Sequence, residues 1–105
     1  MTDTEIDRRL ALAIGYRPED VLLENGRVYI VLKYDFGDIW KRFDHRDWLV
    51  AGPIAERFDL FPRKTFRGAW LVWCDRAPDF VPMRIEGTTP QRAIALAAIA
   101  KLEKV

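Results

Sequence analysis

The chain has 105 residues, half of them hydrophobic and 31% charged, which suits one domain with a single buried core and is too apolar for a disordered segment. Seventeen basic residues stand against sixteen acidic ones, a net charge of +1, so composition points to neither a strongly basic nucleic-acid surface nor an acidic surface imitating DNA and leaves room only for a local patch. The lone Cys74 excludes an intramolecular disulfide, and the longest apolar run, Ala93 to Ala100, is far shorter than the about 20 residues of a membrane span.

Apolar residues at Ile6, Leu10, Ala13 and Ile14 follow a helical rhythm, so a first helix is expected over 4–14, with Asp3 or Thr4 as N-cap and Gly15 ending it. Arg17-Pro18 forces an extended or turning backbone. Residues 21–24 and 27–32 then flank Asn25-Gly26, the pair that best accepts the two positive φ angles of a tight hairpin. Residues 35–46 are expected as a connection with a short extended piece at 39–43, because Gly37 interrupts the strand pattern and no helical period survives. A second helix is expected within 47–58, capped by Asp47 or restarted at Gly52-Pro53, with Ile54 and Phe58 on its buried face and Phe61-Pro62 closing it.

Strand formers run from Phe66 to Cys74, the turn signal Arg76-Ala77-Pro78-Asp79 follows, and a returning strand is expected over 80–85 with Pro82 confining it to an edge. Thr89 as N-cap and Pro90 in the first position introduce a third helix, apolar around nearly its whole circumference. Either its alanines let it lie close to the sheet and the first helix, or residues 90–104 offer a homo-oligomer contact. The whole reads as a single α+β domain over 1–105, a small single-layer antiparallel sheet of four or five strands packed with three helices in the order α-β-β-α-β-β-α.

Motifs for chemistry are sparse. Asp35-Phe36-Gly37 and His45-Arg46-Asp47 resemble two kinase signatures but stand in reverse order, without a glycine-rich loop. The glycines are scattered singly, so neither a P-loop nor a dinucleotide fingerprint is present. His45 is the only histidine, and a nucleophile–base pair or a zinc site would need Asp44, Asp47 or Cys74 recruited around it. The expectation is therefore no enzyme, no metal and no cofactor, with His45 at the surface or at a helix entry.

The segment from Trp40 to Trp48 instead interleaves aromatic and charged residues. Its alternation could present Lys41, Arg42 and Arg46 beside indole rings, a composition suited to interface hot spots or planar anions. The competing reading puts Trp40, Phe43 and Trp48 in the core, with Asp44 and Asp47 neutralising the arginines and capping a helix. Candidate binding residues are Trp40, Arg42, His45, Arg46, Trp48 and Arg57. Trp70 and Trp73, at odd separation on a strand, face opposite sides, and both are expected buried if a third layer covers the second face. Arg63, Lys64 and Arg67 read as solvated charges.

The block Asp47-Trp48-Leu49-Val50-Ala51-Gly52-Pro53-Ile54-Ala55-Glu56-Arg57, together with Gly87-Thr88-Thr89-Pro90-Gln91-Arg92-Ala93, resembles the NinX-type proteins of tailed bacteriophages and the related phage "ABA sandwich" domains. Ile14-Gly15-Tyr16 and the strand around Trp70 add to the likeness, whereas Asp44-His45 and Ala51-Gly52 stand where that family tends to have Asn-Pro and a double glycine. The resemblance implies a phage- or prophage-encoded accessory protein made in the host cytoplasm, with no catalytic residues to carry over. The opening Met1-Thr2-Asp3-Thr4-Glu5, without the basic and apolar regions of a signal peptide, gives the same cytoplasmic expectation. The leading expectation is a non-enzymatic module binding a host or phage macromolecule, with neither membrane nor nucleic acid as partner. The alternative is a small-ligand or nucleotide site using Trp40, Arg42, Arg46 and Trp48 around a cleft between the second helix and the sheet.

Overall fold

The computed structural model describes residues 1–76 and 81–103, and of Val81 the backbone alone. Three helices and two three-stranded antiparallel sheets follow in the order α-β-β-β-α-β-β-β-α. The α+β class and the three helices are as expected. The strands, however, form two sheets rather than one of four or five: the first hairpin gains a third strand that includes the extended piece expected within 35–46, and the second gains the short strand 63–64.

Helix α1 (Asp3–Ala13) is capped one residue earlier than expected, by Thr2, whose hydroxyl accepts from the Glu5 amide. Gly15, at φ +116°, turns the chain away from it. After a single 3-10 turn at Pro18–Asp20 come β1 (Val21–Glu24) and β2 (Arg27–Tyr34), joined by Asn25 and Gly26 at φ 51° and 71° with Glu24 paired to Arg27, the expected hairpin. The Thr4 hydroxyl donates to the Gly26 carbonyl at 2.9 Å and ties this turn to α1.

Gly37 does not break the strand pattern. At φ +135° it closes the turn after Asp35 and Phe36, pairs with Tyr34 and begins β3 (Gly37–Arg42). Val28 and Ile30 of β2 face α1 and are buried, so Ile39 and Lys41, opposite Leu32 and Ile30, share that inner side, while Tyr29, Val31, Trp40 and Arg42 lie on the outer one.

Helix α2 (Trp48–Phe58) starts at Asp47, whose carboxylate accepts from the Leu49 amide, and continues through Pro53 without a restart. Pro53 is exposed, and so is Leu49, whose carbonyl would have been its helical partner; both lie where water reaches. Asp59 in the left-handed region ends the helix, earlier than the expected Phe61-Pro62, and delivers Leu60 into the core at 0% exposure. Ile54 is buried and Phe58 partly so.

The second sheet comprises β4 (Arg63–Lys64), β5 (Trp70–Arg76) and β6 (Val81–Gly87), in that order. Phe66 to Gly68 form a turn, so the strand expected from Phe66 begins at Trp70. The expected turn at Arg76-Ala77-Pro78-Asp79, apart from Arg76 itself, lies outside the described residues, as does Phe80. Pro82 lies on β6, an edge strand as anticipated.

Helix α3 (Pro90–Leu102), with Thr89 as N-cap and Pro90 in its first turn, packs against β5 and β6 and also against α1 and α2. Ala93, Ile94, Ala95, Ala97, Ala98 and Ile99 are buried around its circumference. Its own chain thus covers the apolar surface that suggested an oligomer contact at 90–104. Gly87 permits the approach: a Cβ there would stand 2.6 Å from the Ala93 backbone nitrogen.

Candidate functional site

The six candidate residues do not form one surface. His45 is 0% exposed, at the entry to α2 but not on the surface. Its ring Nδ1 and its backbone N–H both reach Asp7 Oδ1, at 2.6 and 2.7 Å, joining the 43–47 connection to α1. Nε2 stands 3.6 Å from Asp3, which Arg92 engages at 2.8 Å. Arg46 is spent locally: its backbone N–H and side chain all donate to Asp44, and a further nitrogen lies 3.5 Å from Asp3. The hydrogen bonds from Arg46 hold the Asp44 carboxyl below the usual carboxylate range, and the same bonds raise the guanidinium's pKa.

Asp7, Asp44 and His45 bring ligand atoms within 4.8 Å of one another. Those groups are already matched, since Arg46 and Arg42 surround Asp44 and His45 occupies Asp7. Two guanidinium groups beside the cluster oppose a cation. The residues fit a hydrogen-bonded knot between α1, the turn and α3 better than a metal centre.

Neither reading of the aromatic cluster survives whole. Phe43 is core, packed edge-on against Tyr16 with ring centroids 6.1 Å apart. Trp40 and Trp48 are both 52% exposed, but Trp40 leans on Tyr29 on the outer face of the first sheet, whereas Trp48 opens α2. Trp73 is 56% exposed, against the expectation that a third layer buries it, because α3 covers the face of Val72 and Cys74 and no described element covers the other.

What the fold does assemble is a groove of about 200 Å³ between the inner face of the first sheet, the end of α1 and α2. Its lining is Ile14, Tyr16, Ile30 and Phe43 on one side and Leu49, Val50, Pro53 and Ile54 on the other. Lys41 and Arg57 also line it, as does Arg42 at the end of β3, and among the described residues no carboxylate does. Lys41 has no ion pair among the described residues, Arg57 lies 4.8 Å over the Phe58 ring, and Arg42 reaches Asp44 at only 3.4 Å, an oxygen that Arg46 also uses.

A groove does lie between the second helix and the sheet, but of the four residues expected around it only Arg42 lines it, with Arg57 added from the other candidates. Trp40, Trp48, His45 and Arg46 do not line it. Lys41 could be read as an exposed cation from its sequence, but Ile14, Tyr16 and Leu49 carried no local signal of a shared groove. A wider depression of about 700 Å³ lies between Arg9, Leu12, Pro18 and Glu103, with the Arg9–Glu103 ion pair in its lining.

No family model matches the chain, and no curated protein matches its sequence. No helix among the described residues is long and apolar enough to cross a membrane.

Proposed function

We propose that the protein is a non-enzymatic binding module whose groove between β3 and α2 takes a segment of another protein, one with a large apolar side chain flanked by carboxylates. The observation that carries this is the lining itself: an apolar floor, the cations Lys41 and Arg57 and, among the described residues, no acid. Apolar contact supplies the affinity, and cations at the rim select against basic or neutral partners. The likeness of residues 47–57 and 87–93 to NinX-type phage proteins supports a phage accessory role in the host cytoplasm, with a host or phage protein as partner.

The small-ligand reading uses the same groove. Its volume of about 200 Å³ is below the roughly 300–1,000 Å³ of sites that enclose a small molecule, which favours a side chain presented by a larger partner.

The test is a nuclear magnetic resonance titration of the labelled protein with a hexapeptide carrying a Leu-Phe pair between aspartates, beside an analogue with lysines in their place. Amide signals of Lys41, Leu49, Val50 and Arg57 should move together and saturate with the acidic peptide alone. Equal response to both peptides, or shifts scattered away from the groove, would overturn the proposal.

A further inference from the structure

β3 is an edge strand, and every one of its six residues is exposed. An edge strand leaves a row of backbone groups that another strand can pair with, and here Lys41 is the charge that guards its inner side. The amide of Phe43 donates to the Val28 carbonyl at 2.8 Å, which fixes the phase of the β2–β3 ladder: Gly37, Ile39 and Lys41 turn their backbone groups toward β2. Asp38, Trp40 and Arg42 therefore direct theirs outward, and their side chains share the outer face. Helix α1 covers the opposite face of this sheet.

From this pattern we infer that two copies of the chain join antiparallel through β3, with Trp40 opposite its own counterpart on a two-fold axis, forming a continuous six-stranded sheet. In that register Asp38 of each copy faces Arg42 of the other. All the outward-directed backbone groups find partners, and like faces remain on like sides, as a closed symmetric pair requires.

The side chains agree with the backbone. Among the described residues Asp38 has no cation within 4 Å, and the nearest carboxylate to Arg42 is Asp44, already held by Arg46. The partner's Asp38 gives Arg42 an acid of its own. Trp40 leans on Tyr29 beside Val31, so an apolar strip that ends at an open edge in one copy becomes continuous across the axis. Shifting the register to put Ile39 on the axis would set Asp38 opposite Trp40 and forfeit both ion pairs. The other edge, β1, has four residues and no comparable self-complementary pattern.

Sedimentation equilibrium across a concentration series tests this. The wild type should approach twice the chain mass of 12.3 kDa. Asp38→Arg and Arg42→Asp each set like charges opposite one another twice, and each should weaken the dimer by about tenfold or more. The double variant Asp38→Arg/Arg42→Asp restores opposite pairs and should restore the dimer. Arg57→Glu, which alters the groove alone, should keep the dimer mass, separating this inference from the binding proposal. Circular dichroism verifies that each variant is folded. A wild type at 12.3 kDa throughout, single variants that dimerise as well as wild type, or a folded double variant that stays monomeric would each overturn the inference.

Discussion

Asp7 Oδ1 accepts from both the ring and the backbone of His45, and the pair is almost wholly buried. Replacing Asp7 with Ala strands two donors away from water, a loss of about 3 kcal/mol of unfolding free energy that urea denaturation would read directly. Asp44 offers a pH signature. Its carboxyl lies below the unfolded value of about 3.9, so its contribution to stability is fully present above that pH and disappears as pH falls through the lower, folded value. Arg46→Ala should therefore cost up to about 1 kcal/mol at neutral pH, discounted for the half-exposed guanidinium, and the two proteins should converge in strong acid. Thermal melts from neutral to acid pH check this. Burial pushes the Cys74 thiol up, so alkylation at neutral pH should be slow until urea unfolds the chain. His45 shows the limit of reading single residues: its neighbours in sequence indicated a helix entry, but Asp7, its partner, comes from another helix.

At the scale of elements, β6 reaches α3 through Gly87. Gly87→Ala would drive a methyl group into the Ala93 backbone, and the forced shift should destabilise the fold by about 1–3 kcal/mol, measured by chemical denaturation. Elements with local chemistry were legible in the sequence: Asn25-Gly26 demanded its hairpin, and Thr89-Pro90 its helix start. β3 was legible only as a short extended piece at 39–43 and β4 not at all, because strand pairing is decided by the partner. Gly37 looked like an interruption yet supplies the positive φ that lets β3 fold back on β2. The same pairing logic divided the strands into two sheets. Segments 47–57 and 87–93 include the Asp47 and Thr89 caps and the buried Ala51, Ile54 and Ala55 of α2, which packs on α3. They are framework, and Arg57 is the member of that set whose charge lines the groove.

Over the whole molecule, α3 is the shared support: the second sheet lies against it, as do α1 and α2, and α1 carries the first sheet in turn. The body extends 48 Å in its longest dimension against 22 Å in its shortest. Its surface keeps Trp40, Trp48, Leu49, Phe66 and Trp73 more than half exposed, spread over separate elements. The groove was only partly legible because it is a tertiary product. Arg42 and Arg57 stood out as candidates, while its floor joins residues from Ile14 to Ile54 that sequence order separates.

The most direct measurement is selection of a random peptide display library on the wild type and on a folded Lys41→Glu/Arg57→Glu variant. The wild type should enrich peptides with one or two large apolar residues flanked by Asp or Glu, and the variant should lose them. Enrichment without acidic residues, or equal retention by the variant, would contradict the assignment of this groove as the binding site.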